Sequence, residues 1–239
     1  MPCRMLPSEN HSLLPSLLGL GLPSQRDVVF IAIDIEGVEQ IKVDGNGQVG
    51  VAILDPMKLD ISTAAKNIIV THNFTCGSDE YSRDASKEFL FGRSKPRTSS
   101  SSVIRSVKAL IPTDREVIYV GHGIGGDLSA LDAMGVTFND YNITTIDTEK
   151  LGASIYNKRH KLGALLDELM CPYSNLHCAG NDANFALRAM LLLALKIESN
   201  ANGLDLGDAR VKLIKAIAYD ERGMSIPKPF ERNMATWRS

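Results

Sequence analysis

Two carboxylates separated by one residue end an unbroken apolar stretch near the start of the chain. Asp34 and Glu36 lie at the end of residues 27–36, in which six consecutive apolar residues precede the first carboxylate. Such a run is typical of a buried strand, and alternation along a strand points both carboxylates to one face. Acids in this position need a raised pKa or a cation, and hard divalent cations prefer oxygen ligands. The pattern leaves two interpretations open: a metal site, or a strand end whose acids face water.

A histidine and an aspartate five residues apart form a second group. Helical spacing of apolar residues predicts a long helix over residues 181–197, which places Asp182 in its first turn, where the helix dipole favours an anion. His177 then lies about one turn upstream, in the loop before the helix. An imidazole titrates close to neutral pH and suits a general base that activates water. A histidine that only caps the helix or packs in the core is the alternative.

Asp127 follows a glycine-rich segment, residues 121–126, directly after a predicted strand. These glycines satisfy G-x-G-x-x-G, and Asp147 closes the next strand about 20 residues on, as in a dinucleotide-binding site. However, Asp127 would put a carboxylate where the pyrophosphate binds. This interpretation, a dinucleotide-dependent oxidoreductase, also leaves Asp34 and His177 unexplained and is therefore the weaker one.

The four cysteines form no CxxC pair. This usage is typical of reduced thiols in an intracellular protein, and it leaves the choice between cytoplasm, nucleus and import into an organelle open. A zinc site built from His72, Cys76, Cys171, His177 and Cys178 is an alternative, although the last three lack the usual ligand spacing.

Composition limits the classes of function. The 239 residues carry 44% hydrophobic side chains and a formal net charge of −2, as in an ordinary globular protein. No apolar run approaches the ~18 residues of a membrane span. Because no overall basic field exists, a nucleic acid would have to be bound by local Lys/Arg patches and by metal.

The predicted elements form a meander followed by alternating units. A turn signal at residues 44–48 lies between apolar runs at 38–43 and 50–54 and predicts a hairpin, and a further strand is expected at 67–75. Later segments predict a mixed α/β sheet flanked by helices. We expect a loop at 76–102, strands at 117–120 and 143–147, and helices at 102–111, 127–134, 161–170, 181–197 and 207–219. The expected organisation is a flexible N-terminal arm (1–26), one domain (27–222) and a C-terminal tail (223–239).

Taken in order, Asp34-x-Glu36, Asp127 and His177-x4-Asp182 resemble the three motifs of the DEDDh 3′–5′ exonucleases. Two intervening segments support the resemblance, which covers about residues 28–197. Residues 146–153 are similar to the DT-x-x-LA strand end that follows the second motif, and residues 161–169 resemble the L-x-x-L helix before the third. The sequence of residues 121–128 is similar to that found in the fungal exonuclease-like branch of the family, which is tied to RNA metabolism and silencing.

The resemblance implies a ribonuclease H-like α/β fold and a metal-dependent 3′–5′ exonuclease acting on single-stranded RNA or DNA. It implies that four carboxylates hold two divalent cations, Mg²⁺ or Mn²⁺, and that His177 is the general base. The four carboxylates are Asp34, Glu36, Asp127 and Asp182. A catalytically silent member of the fold that binds nucleic acid or protein is the alternative.

Substrate contacts are expected beside the motifs. Gly37 and Val38 follow the first motif where many members carry Thr or Ser, and a glycine stands where the second motif often has Asn. His122, Lys158 and Arg159 are further candidates, the last two in a short basic stretch suited to phosphates. With only 6% aromatic residues, a short 3′ end entering a pocket is favoured over an extended stacking platform. The N-terminal arm is the expected site of any protein partner; the sequence carries no signal for oligomeric state or for RNA over DNA.

Overall fold

A computed structural model describes residues 4–5, 12–21, 26–59, 64–136 and 144–221. Seven strands within this part of the chain form one sheet in the order β1-β7-β6-β2-β3-β4-β5. The strands are β1 (Arg4–Met5), β2 (Val28–Glu36), β3 (Gly47–Leu54), β4 (Ile69–Cys76), β5 (Lys95–Arg97), β6 (Glu116–Gly121) and β7 (Thr144–Asp147). The helices are α1 (Leu14–Leu17), α2 (Val38–Ile41), α3 (Asp79–Glu88), α4 (Ser100–Lys108), α5 (Gly125–Ala133), α6 (Thr148–Tyr156), α7 (Leu162–Glu168), α8 (Ala179–Asn202) and α9 (Ala209–Ala218).

The central strand is β2, which carries the first two carboxylates. It pairs antiparallel with β3 and parallel with β6, so the sheet is mixed. The predicted mixed sheet flanked by helices is confirmed, and the later predicted strands and helices each correspond to an observed element. No helix within the described ranges is both long and apolar enough to cross a membrane.

Alternation along β2 separates two hydrophobic cores. Phe30 and Ala32 pack in the core that contains α8, whereas Ile31 and Ile33 pack in the core that contains residues of α4 and α5. Every residue of α8 from Ala179 to Leu195 is buried, as expected for a helix covered on all sides. Asp34 and Glu36 are an even number of residues from Phe30 along the strand, so their side chains lie on the same face of the sheet, the face that α8 covers.

The prediction of a hairpin with a strand at residues 38–43 is wrong. Gly37 adopts a left-handed conformation (φ 73°) and precedes the single helical turn α2. Only Ile41 of that helix is buried, and Val43 is 78% exposed. An apolar pair three residues apart, Val38 and Ile41, fits one face of a helix and not a strand. β3 therefore begins at Gly47, opposite the end of β2, with Gln48 paired to Glu36.

The polar segment at residues 76–102 is not the predicted loop, because it contains α3 and β5. Ser78 caps α3 by accepting the Tyr81 N–H through its side-chain oxygen. Ser82 and Ala85 are the buried residues of this largely polar helix. The sequence of α3 therefore shows no helical spacing of apolar residues, although Ser78 followed by two acidic residues is a signal for the start of a helix.

The N-terminal segment contributes to the core. Leu14, Leu17, Leu18 and Leu20 are buried in the cluster that contains α8. Residues 12–21 are therefore not part of a flexible arm, because burying four leucines fixes the segment on the domain. The four buried leucines are therefore not available to a protein partner. The predicted tail, 223–239, lies outside the described residues, and the domain limit at 222 stays a prediction.

Candidate active site

Close packing of α8 on β3 brings the third motif to the first. Asp34 pairs with Gly50 on β3. A Cβ atom on Gly50 would overlap the carbonyl of Ala179, at the start of α8. Glycine is thus required at this position for the first turn of α8 to lie directly on the strand, and Asp182 in that turn reaches the carboxylates of β2.

Glu36, His177 and Asp182 form a compact group. One ligand atom from each lies within 4.8 Å of the others. The Nδ1 atom of His177 is 3.5 Å from Oε1 of Glu36. The backbone N–H of His177 donates to Oδ2 of Asp182 at 2.9 Å. The His177 side chain is 88% exposed, so the imidazole lies at the solvent side of the carboxylates.

Asp127 reaches the same place from the opposite layer. Neighbouring residues of α5, such as Leu128 and Leu131, pack in the core on the other face of the sheet. Oδ1 of Asp127 accepts the backbone N–H of Ile35, between Asp34 and Glu36, at 3.1 Å. Together these contacts place the four predicted carboxylates and the predicted histidine around the C-terminal end of β2.

The electrostatics of this cluster show a shortage of positive charge. Burial, followed by the charges of Asp182, Asp127 and Glu36, raises the pKa of Asp34 well above its ordinary value. Burial also raises the pKa of Asp127 to about 7 and that of Asp182 to about 6. Oδ2 of Asp34 and Oδ1 of Asp182 are buried without a hydrogen-bond partner. A donor set of carboxylates with unpartnered buried oxygens fits a hard divalent cation.

Three of the five predicted substrate contacts line two open clefts, and the other two lie next to them in the sequence. Val38 lines a cleft of about 420 Å³ with Gly126 and Asp127, and Gly37 directly precedes it. A second cleft, of about 380 Å³, is lined by residues including His122 and Arg159. Lys158 is exposed next to Arg159.

His122 has a structural task in this second cleft. Its Nδ1 lies 3.1 Å from Oγ1 of Thr148, and its Nε2 lies 2.9 Å from the carbonyl oxygen of His160. Both ring nitrogens are therefore engaged, and the ring ties the end of β6 to the basic segment. A substrate contact through either nitrogen would require one of these bonds to break.

The zinc and dinucleotide interpretations lose their structural basis. Cys171 is buried and donates to the carbonyl of Ala218 at 3.3 Å. Over the described ranges, the one grouping of three or more His, Cys, Asp or Glu ligand atoms contains no cysteine. Asp147 accepts the backbone N–H groups of Gly123 and Glu149. The glycine-rich turn is thus bound to a carboxylate of the protein itself.

Two residues that the sequence patterns do not single out, Tyr81 and Asn181, also lie beside the carboxylate cluster. Burial, together with the nearby charges of Glu36 and Glu88, raises the pKa of Tyr81 on α3, and the neighbouring Gln48 acts in the opposite direction. Asn181 anchors the start of α8 by accepting the Leu90 N–H at 3.0 Å. Only the helix-start signal at Ser78 pointed to Tyr81, and no local signal pointed to Asn181.

Comparisons with known proteins agree with this geometry. The family model described as DEDDh_C, DNA polymerase III subunit epsilon-like, C-terminal domain, matches residues 29–193, a range that includes all five predicted catalytic residues. Two Saccharomyces cerevisiae proteins are similar to the chain. "Uncharacterized protein YDR514C" is 28% identical over an alignment of 205 positions, gaps included, and the match covers 72% of this chain and 42% of that protein. "Good for full DBP5 activity protein 2" is 25% identical over an alignment of 241 positions, gaps included, and the match covers 87% of this chain and 42% of that protein.

The chain thus spans 42% of the length of both yeast relatives. The family model, by contrast, covers well over half of this chain. Members of that family are exonuclease-like nucleases that generally use divalent metals. With its mixed sheet and its acidic edge, the chain belongs to the DEDDh exonuclease-like family and has the ribonuclease H-like α/β fold.

Proposed function

We propose that the chain is a metal-dependent 3′–5′ exonuclease that hydrolyses phosphodiester bonds at the 3′ end of single-stranded RNA or DNA. One observation carries the proposal: four carboxylates converge beside an exposed histidine, and two of their buried oxygens have no hydrogen-bond partner. A purely structural cluster would satisfy such oxygens within the protein.

Asp34, Glu36, Asp127 and Asp182 would hold two divalent ions, Mg²⁺ or Mn²⁺. When bound, such ions polarise the scissile phosphate and make a bound water more acidic. The residues themselves contribute geometry and charge. Three of the acids have raised pKa values, so they would bind cations in competition with protons. The close packing of α8 on β3 fixes Asp182 relative to Asp34.

His177 is proposed as the general base. The backbone at His177 has φ 68°, a conformation that residues other than glycine seldom adopt and that persists where the surroundings impose it. Asp182 holds the backbone N–H, and Glu36 lies 3.5 Å from Nδ1 of the ring. The imidazole is thus directed over the carboxylates, where it can take a proton from the attacking water.

The two clefts give the substrate a path. We place the terminal nucleotide beside Gly37 and Val38, in the cleft that Asp127 also lines. Phosphates further along the strand would meet Lys158, Arg159 and, in the second cleft, Lys161. Local basic side chains are required here because the net charge of the chain is −2.

A silent binding domain is the second candidate. The printed name of one relative, "Good for full DBP5 activity protein 2", assigns that protein a part in the activity of DBP5 and not a cleavage reaction. A domain that binds nucleic acid or protein without cleaving would be consistent with such a role. The complete set of four acids and a histidine favours catalysis.

Cleavage of a 5′-labelled single strand tests the proposal. With Mn²⁺ we expect a ladder of progressively shorter labelled RNA or DNA, and a chelator should stop it. A 3′-phosphate should slow the reaction, because an added dianion faces the carboxylates. Early release of a labelled mononucleotide would show attack from the 5′ end, and an intact strand at every metal concentration would favour the silent domain.

A further inference from the structure

Asn73 connects the sheet to the start of α8. It lies on β4, and its side chain is 0% exposed. Oδ1 of Asn73 accepts the backbone N–H of Gly180 at 3.2 Å. The first N–H groups of a helix have no partner within the helix, and Cys178, the residue before α8, supplies no side-chain cap. Asn73 therefore caps α8 from a neighbouring strand.

The orientation of the Asn73 carboxamide is fixed by its other contacts. Nδ2 donates to Oε1 of Gln48 at 2.8 Å and to Oγ of Ser94 at 2.9 Å, and both partners are buried. Turning the amide over would place its NH₂ group against the N–H of Gly180, two donors facing each other. The carboxamide thus has one stable orientation.

Close packing also restricts the position of the first turn of α8, which Asn73 caps. A Cβ atom on Gly180 would lie 2.8 Å from the Cβ atom of Asn73. Asp182 follows two residues later, and its Oδ2 in turn holds the backbone N–H of His177. A shift of this turn would therefore move both a carboxylate and the histidine away from Asp34 and Glu36.

We infer that Asn73 is a positioning residue of the metal centre: it fixes the first turn of α8 and thereby places Asp182 and His177 against the carboxylates of β2. Asn73 itself touches neither metal nor substrate. The inference rests on the proposed function, since it assumes that the carboxylate cluster binds divalent ions.

The test compares Asn73→Leu with Thr71→Val. Leucine has the same number of side-chain heavy atoms as asparagine and branches at the same carbon, but it has no polar atoms. Thr71 lies two residues earlier on β4, and its Oγ1 accepts a hydrogen bond from Asn184 of α8 at 2.8 Å. The control thus removes a bond between the same strand and the same helix, beyond the turn that carries Asp182.

Three quantities are measured for each protein: melting temperature in chelator, Mn²⁺ affinity by calorimetry, and the rate of strand shortening. Both variants should melt at a lower temperature. Only Asn73→Leu should weaken Mn²⁺ binding, by tenfold or more, and slow cleavage at Mn²⁺ concentrations that saturate the wild type. Equal Mn²⁺ affinity in Asn73→Leu and wild type would overturn the inference, as would an equal loss of affinity in Thr71→Val.

A smaller replacement covers the case in which Asn73→Leu does not fold. Asn73→Ala removes the oxygen that accepts the Gly180 N–H without adding volume, and it should weaken Mn²⁺ binding several-fold. Unchanged affinity in that variant would contradict the inference. Failure of the wild type to bind Mn²⁺ has a different meaning, because it would remove the proposed metal centre itself.

Discussion

Asp34→Asn is expected to abolish nuclease activity while raising the melting temperature of the metal-free protein at pH 8. Asp34 is the carboxyl whose pKa burial and the neighbouring acids raise well above its ordinary value of 3.8. Asparagine removes the buried charge and one proposed metal ligand together. We expect the cleavage rate to fall at least about 10³-fold, because bound metal contributes several kcal/mol and 1.36 kcal/mol corresponds to tenfold.

The sign of the stability change follows from the raised pKa. A carboxyl with a raised folded-state pKa costs no stability below its unfolded pKa, and the cost grows as the pH rises through the folded value. The variant should therefore gain most at pH 8 and least near pH 4. If removing the buried charge recovers about 1 kcal/mol, the melting temperature should rise by about 2–4 °C in a domain of this size.

Asp147→Asn is the matched control for this prediction. Asp147 is a buried carboxylate at the end of the nearby strand β7, but it accepts two backbone N–H groups and lies 3.5 Å from Nζ of Lys150. Its charge is satisfied, so the variant should melt lower and keep its response to Mn²⁺. A lower melting temperature in metal-free Asp34→Asn at pH 8 would show that the cluster is not short of positive charge.

His177→Ala is expected to slow cleavage about 10²–10⁴-fold, the contribution of a general base, while Mn²⁺ affinity stays close to that of the wild type. The exposed ring lies beside Glu36 at the solvent side of the carboxylates, so its removal leaves the four proposed ligands in place. A pH–rate profile alone would not separate these roles, because burial raises the pKa of Asp127 to about 7. Calorimetric Mn²⁺ binding together with single-turnover cleavage makes the separation.

His72→Ala is the control for the histidine prediction. Nδ1 of His72 lies 2.8 Å from Nζ of Lys95, and alternation along β4 puts its ring on the face of the sheet opposite to Asn73. Its cleavage rate should equal that of the wild type. If His177→Ala instead lost Mn²⁺ affinity as severely as Asp34→Asn, the histidine would be a metal ligand and the base would have to be another group.

The sequence predicts the residues of the site better than the elements around them. Asp34 and Glu36 follow from alternation after an apolar run, and Asp182 follows from the start of a long apolar helix; both are local patterns. That the helix lies against β3 at Gly50 depends on backbone approach. A glycine in a sequence shows where a close contact is allowed, but it does not show which residue makes that contact.

Polar segments are where prediction fails. α3 has few apolar residues, so its sequence predicts a loop, although the helix carries Tyr81 next to the site. Asn73 sits in a predicted strand, but its partners Gln48, Ser94 and Gly180 come from three distant parts of the chain. The leucines near residue 14 gave no clean period and nevertheless pack on the domain. In each case tertiary contacts decide the outcome.

The position of bound Mn²⁺ tests the central claim most directly. Crystals equilibrated with Mn²⁺ at a concentration that supports cleavage can be measured at the manganese absorption edge, where anomalous scattering locates the ions. We predict anomalous density beside the carboxylates of Asp34 and Asp182, whose buried oxygens have no partner within the protein. An anomalous map without density at this cluster would contradict the claim that these carboxylates form the metal centre of a nuclease.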